Sequence, residues 1–540
     1  MTTSHNYLFV SDLHLSEGRD PRTGLLSPNE DFFHDDGFAR FLVYHVQLSR
    51  QPQAAVHYRK PWKLVVNGDI FDFLQVTKLP AEGDELEAVR GVRRHADLSQ
   101  NEQEYGLGTR SAEIVWKLEQ IAAGHPVFFQ ALGWFLAQPG QEVILLKGNH
   151  DVETYWPAVQ ARMRALVAAA YAAWRAAGMR GEEVDSPLPW DEALPASIAD
   201  VVPASIQFPP WFYYEPGLFF VEHGNQYDPP NAFNDVLAPV LPDRPEMIEL
   251  PAGSFFVRYF FNKVEQVHPF ADNIKPITRY IRWALDQEPV DTLQMVIRQR
   301  RIIVRSLTNL IKKKADPIKG APGMLKNAGT PKEGAPQIPL HPERWEQIIT
   351  IRDEMHEAAG AMGNRTSLMT AGSLGLNVTL SASALTALRA FVRGEWRKLA
   401  WLLLGAGGSF VGKTLLTQQL NRFDTLVSLT NVAERICVAF NQPDNAGIQA
   451  AVPYYIFGHN HSARVRELTQ AAGTNAPFRQ WYVNTGAWLP SFNESDRLTR
   501  SDIQLTFFRL VPDRPGRDEQ VPELLEWLPN ADRPRPVRLL

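Results

Sequence analysis

The chain has 540 residues and a mass of 60.9 kDa, with 44% hydrophobic and 21% charged residues. That balance excludes a disordered chain, a fibrous repeat and a disulfide miniprotein. Lys and Arg number 55 against 60 Asp and Glu, a formal net charge of -5, which argues against a dedicated nucleic-acid coat.

In chain order, apolar runs repeatedly end in tight polar turns. Residues 7–10 run into Ser11-Asp12, residues 64–66 into Asn67-Gly68-Asp69, and residues 143–146 into Lys147-Gly148-Asn149-His150. Residues 218–222 run into His223-Gly224, and residues 454–457 into Gly458-His459. Each reads as a buried strand followed by a turn. In layered α/β folds the functional site lies beyond the strand ends, so five strands ending in candidate ligands point to one site.

Between these strands, the spacing predicts a helix over 157–178, opened by Pro157 and stopped at Gly178. Residues 180–210, rich in prolines and acids, read as a loop, so 156–211 is an excursion from a first core segment, 1–235. Residues 236–445 read as a mainly helical insertion or cap, with a Pro- and Gly-rich linker at 315–340. Residues 446–510 complete the core, and 511–540, rich in Pro, Arg and acids, read as a loosely held tail.

Three other features carry expectations. The lone Cys437 excludes an intramolecular disulfide, fits a reducing compartment, and reads as a small buried hydrophobe. There is no basic, then apolar, N-terminal leader, and the most apolar stretch, 399–412, is shorter than the roughly 20 residues a spanning helix needs. The expectation is a cytoplasmic protein. Residues 290–314 form a basic amphipathic pattern, with Arg298, Arg301, Arg305 and Lys312 beside an apolar face. It reads either as a packed helix with a solvated charged face or as a surface that attracts an anionic substrate or makes a peripheral contact with anionic lipid head groups of a membrane.

The ligand-rich turns need to be read together. They are Asp12-Leu13-His14, Gly68-Asp69-Ile70-Phe71-Asp72, Gly148-Asn149-His150-Asp151, His223-Gly224 and Gly458-His459-Asn460-His461. Carboxylate, imidazole and amide donors without thiolate suit hard or borderline ions. In this order the motifs resemble the calcineurin-like metallophosphoesterase superfamily, across about 1–155, 212–235 and 450–490. The resemblance implies an α/β (α+β) fold of two mixed β-sheets packed as a sandwich and flanked by helices. It also implies two divalent or trivalent metal ions, Mn, Fe or Zn, at one edge of the sandwich.

By the same resemblance, Asp12, His14 and His461 bind one ion, Asp69 bridges, and Asn149, His223 and His459 bind the other. His150 is the acid that assists the leaving group, and Asp72 orients it. Asp151 supports the ligands from behind. The implied reaction is hydrolysis of a phosphomonoester, phosphodiester or pyrophosphate by a metal-bound hydroxide. A D-L-H-L start also occurs in the branch of UDP-2,3-diacylglucosamine pyrophosphatases. That branch has Arg where this chain has His150, which favours a generic mono- or diester.

Asn225 and Asp228, just past His223, read as turn formers or substrate contacts. The segment Tyr482–Trp488 reads as structural. Two competing functions stand beside the enzyme. Gly407–Thr414 satisfies G-x-x-x-x-G-K-[ST], the pattern of a P-loop nucleotide site. A metallophosphoesterase-like scaffold with a partner-binding insert is the other.

Overall fold

The five apolar runs become five strands at the centre of two sheets in a computed structural model of the chain. It describes residues 5–52, 55–182, 186–262, 340–341, 343–357, 428–444, 447, 449–468, 478–490, 504–517 and 520–537. The basic stretch 290–314, the linker 315–339 and the P-loop-like 407–414 lie outside the described residues.

The strands are β1 (Asn6–Val10), β2 (Trp62–Asn67), β3 (Glu142–Leu146), β4 (Ile206–Gln207), β5 (Tyr213–Glu215), β6 (Phe219–Val221), β7 (Val240–Leu241), β8 (Arg244–Ile248), β9 (Tyr454–Phe457), β10 (Arg464–Glu467), β11 (Trp481–Asn484), β12 (Leu505–Leu510), β13 (Glu523–Leu528) and β14 (Arg533–Pro536). One sheet runs β14-β13-β12-β1-β2-β3-β4, the other β10-β11-β9-β6-β5, and β7-β8 is a separate hairpin. Strands β1 to β4 pair in parallel and β12 joins β1 antiparallel, so the larger sheet is mixed. The smaller is mixed too: β6, β9 and β11 are parallel, with antiparallel edges.

Period-two alternation decides what each face meets. Tyr7, Phe9, Val65, Ile144 and Leu146 face the other sheet, where Phe219, Val221, Tyr454, Ile456 and Val483 meet them. The Phe9 and Phe219 rings cross edge to face, 4.9 Å apart. Leu8, Val10, Leu64, Val66, Val143 and Leu145 face the opposite way, into helices Asp35–Arg50, Ser111–Gly124, Pro126–Leu136 and Pro157–Met179. On the outer face of the smaller sheet, Phe220, Tyr455 and Phe457 pack against the helix 343–357 and the helix Leu429–Asn441. The result is a four-layer α/β/β/α sandwich, as expected.

Three expected boundaries are corrected. The described residues of the expected tail 511–540 are not loosely held: β13 and β14 extend the larger sheet, with Leu525 and Trp527 buried in its core. The prolines fit because Pro534 and Pro536 lie on the edge strand, where a missing N–H goes unnoticed. The excursion 156–211 is woven into the core as well. Its helix buries Val159, Met163, Val167 and Tyr171 on one face, and β4 adds to the sheet beside β3. Within 236–445, residues 343–357 and 429–441 are the outer layer over the smaller sheet rather than part of a separate cap. Among the described residues no helix is long and apolar enough to cross a membrane.

Candidate metal centre

Every expected ligand sits in the first turn after a strand. Asp12 and His14 follow β1, Asp69 and Asp72 follow β2, and Asn149 and His150 follow β3. His223 follows β6, and His459 and His461 follow β9. Backbone hydrogen bonds join these turns: Leu13 N donates to Asp69 O at 2.9 Å, and Gly458 N to His223 O at 3.0 Å. Across the sandwich, His459 N donates to Asp12 Oδ2 at 3.0 Å. Asn484 Nδ2 donates to Gly458 O at 2.7 Å, and Ser11 Oγ to Gly486 O at 2.9 Å, so the segment after β11 ties two ligand turns together.

These turns hold strain. Asp12, His14, Asp69, His459 and His461 all have φ between 52° and 69°; Asp532 is the only other non-glycine residue with positive φ among the described residues. Left-handed backbone costs a side chain-bearing residue on the order of 1–3 kcal/mol. The surrounding fold sustains that cost where the side chains must converge.

Converge they do. Asp12 Oδ1 lies 3.2 Å from His461 Nε2 and 4.0 Å from His14 Nε2. Asp69 Oδ2 lies 3.0 Å from His223 Nε2 and 3.7 Å from His14 Nε2. Asp12, His14 and His461 form one group with ligand atoms within 4.8 Å of one another; Asp69, His223 and His459 form a second. His14, Asp69 and His150 form a third that overlaps both, so His150 stands among the expected ligands rather than apart from them.

Hydrogen bonds select the ring nitrogen that each histidine offers. A neutral imidazole has one N–H, and a carbonyl or carboxylate oxygen only accepts. His223 Nδ1 therefore donates to Asn67 O at 2.8 Å, leaving Nε2 as a lone pair toward Asp69. His14 Nδ1 donates to Asp72 Oδ2 at 3.3 Å, again leaving Nε2. The buried atoms His14 Nε2 and Asn149 Oδ1 have no hydrogen-bond partner. Buried polar atoms without partners are rare and call for a ligand or an ion. Buried His and Asp groups with this donor set fit a metal ion.

Charge favours a cation here. Burial works against ionisation of Asp69, yet His223, His150 and His14 hold its carboxyl well below the usual range. Burial lowers His223, but Asp69 and Asp12 more than reverse this and raise it to about 9. Asp72 is likewise kept ionised against its burial by His150 and His14. Its Oδ2 accepts from His150 Nδ1 at 2.5 Å, and its Oδ1 from Leu74 N and Gln75 N at 3.0 Å. Asp72 thus bonds both His150 and His14.

Asp151 lies behind the ligands. It accepts from Gly148 N at 2.6 Å and Ile70 N at 2.8 Å, fastening the β2 and β3 turns together. Burial first, then the Asp69 charge, pushes its carboxyl up to about 7. Two motif glycines are needed for closeness. A Cβ on Gly148 would stand 2.1 Å from Asp69 Oδ1, and one on Gly458 2.8 Å from Asp12 Oδ2.

Asn225 Nδ2 donates to Asn231 O at 3.0 Å, a turn-forming role. Asp228 instead meets an expected ligand: its Oδ2 lies 3.0 Å from His459 Nε2. Nothing in the local pattern H-G-N-Q-Y-D marks that partnership, because the two residues are 231 positions apart. Ser254, from the region read as an insertion, donates from Oγ to Asn149 O at 3.3 Å. Cys437 is buried on the outer helix, away from the centre, and donates to Gln480 Oε1 at 3.2 Å. Comparison of the chain with family models, with curated proteins and with solved structures finds no match.

Proposed function

We propose that this protein is a two-metal phosphoesterase that hydrolyses a phosphomonoester, phosphodiester or pyrophosphate. The observation that carries the reading is a pair of buried His/Asp groups, Asp12–His14–His461 and Asp69–His223–His459, with His150 and Asp72 packed beside them. Asp69 Oδ2 faces His14 of the first group and His223 of the second, which suits a carboxylate shared between two ions. Asn149, whose buried Oδ1 has no hydrogen-bond partner, would supply a neutral oxygen to the second ion. When bound, Mn, Fe or Zn would neutralise the phosphoryl charge and supply a water acidic enough to attack phosphorus near neutral pH.

The chain's own residues do the rest. Asp72 accepts the hydrogen bond from His150 Nδ1–H, so a protonated His150 keeps its Nε2–H side for the ester and gives that one proton to the leaving oxygen. The Asp72 carboxylate favours the protonated form of His150, as an acid near neutral pH requires. The positive-φ turns keep the ligands converged before substrate arrives, so little reorganisation is left for the reaction itself.

The test is elemental analysis followed by a panel of phosphoesters with Mn-loaded protein. Two ions per chain are expected, with Asp69→Asn disturbing both. A chain that binds no metal, and gains no activity on any ester with added Mn, rules the reading out.

A further inference from the structure

We propose that Asp228 is a positioning residue that fixes His459 in the tautomer presenting Nδ1 to the ion shared with Asp69, Asn149 and His223. This rests on the two-metal reading above and adds to it the residue that orients one ligand.

The argument starts at the hydrogen bond. Asp228 Oδ2 and His459 Nε2 are 3.0 Å apart. The carboxylate only accepts, so the proton of a neutral His459 ring lies on Nε2. The buried Nδ1 is then the nitrogen left to ligate. His223 is locked the opposite way, with Nδ1 donating to Asn67 O. The two rings, with centroids 5.3 Å apart, therefore offer different nitrogens to the same ion. That matters because His459 enters from a left-handed turn, φ 69°, whose backbone N–H is already held by Asp12. With the backbone pinned on one side and Nε2 on the other, the ring has little freedom to rotate.

Asp228 is itself held. Asn231 Nδ2 donates to the same Oδ2 at 2.7 Å, and Asn231 N donates to Asp228 O at 2.8 Å. The helix that begins at Ala252 presses on that asparagine so closely that a Cβ on Gly253 would stand 2.0 Å from Asn231 Oδ1. From the other side, His356 Nε2 bonds Gln226 O at 2.7 Å, two residues before Asp228. Both supports come from the region 236–445. Its described parts thus brace a ligand of the metal centre.

The test is Mn(II) titration of full-length, metal-free protein, with free Mn read by electron paramagnetic resonance; no turnover is needed. Removing an outer carboxylate partner of a metal-bound histidine typically weakens the ion about 10–100-fold. Asp228→Ala is expected to do this to one of two ions and leave the other at wild-type affinity. Asp228→Asn keeps an oxygen that accepts from Nε2–H and should stay close to wild type. Should the alanine variant fail to fold, Asp228→Ser takes its place with the same expected loss, its hydroxyl being too short to reach the ring. Two ions bound at wild-type affinity in the alanine or serine variant overturn the proposal. An asparagine variant as weak as alanine also overturns it, since charge and not hydrogen bonding would then be the cause. Wild-type protein that takes up no Mn defeats the two-metal reading itself, a result separate from either.

Discussion

Replacing Gly148 by alanine puts a methyl group where the Asp69 carboxylate already is. The new Cβ would stand 2.1 Å from Asp69 Oδ1, 2.7 Å from its Cγ and 2.8 Å from its N, and ordinary contact begins only at 3.4 Å. The difference between 2.1 and 3.4 Å obliges the carboxylate to retreat by about 1 Å. It cannot do so alone, because Oδ1 accepts from His150 N at 2.8 Å and the Asp69 backbone is itself left-handed. Overpacking of this kind costs about 1–3 kcal/mol of stability, and a misplacement near 1 Å in a catalytic centre costs about 10²-fold in rate. The assay is thermal unfolding, metal content and Mn-dependent phosphoester turnover on the same preparation. Gly37→Ala is the control, since its nearest neighbour would be 3.6 Å away inside the helix Asp35–Arg50, where alanine gains about 0.5–1 kcal/mol over glycine. Wild-type metal content together with wild-type turnover in Gly148→Ala would refute the claim that close packing sets the bridge.

His150→Ala should keep both ions and lower turnover by about 10²–10⁴, the contribution of a positioned acid; loss of an ion instead would make His150 a ligand, in line with its place beside His14 and Asp69. A pH effect follows from His125, buried with Nε2 at 3.1 Å from Glu30 Oε2 and Nδ1 at 3.1 Å from Asp35 Oδ1. Burial lowers this imidazole, but Glu30 and Asp35 overcome it and raise it from 6.5 to about 10. Because the folded value is the higher one, its stabilisation is complete below pH 6.5 and is lost as pH rises through about 10. Unfolding midpoints measured from pH 6 to 10 should fall in wild type and fall less in His125→Asn; parallel curves would contradict the assignment. Glu30 also accepts from Ser16 Oγ at 2.8 Å and Gly18 N at 2.7 Å, so the same titration should loosen the turn after His14.

The centre was legible because its code is local. Each ligand lies within five residues of an apolar run, and β1, β2, β3, β6 and β9 form where those runs predict them. Parallel pairing of β1 with β2, of β2 with β3, and of β6 with β9 then carries the turns to the same edge of each sheet without further information. The glycine in G-N-H-D is readable as a motif, although its reason, the space that Asp69 occupies, is visible only in three dimensions.

What the sequence determined by itself was therefore the five ligand-bearing strands, the order of candidate ligands and, through the resemblance, the two-sheet class. The strands and the ligand order were written in short apolar runs and the turns that follow them, while the two-sheet class was what the resemblance of those motifs implied. Tertiary structure alone decided the rest. The face that a helix buries depends on a surface supplied elsewhere in the chain, so the helices at 343–357 and 429–441 read as insertion until Phe220, Tyr455 and Phe457 are seen beneath them. The last strands hid behind Pro534 and Pro536, tolerated because β14 is an edge. Asp228 read as a turn former or a substrate contact, and only the approach of β6 to β9 brings it to His459. Hydrogen bonds across 231 positions leave no periodic trace in a sequence, because their geometry is made by the fold and not by the neighbours of either residue.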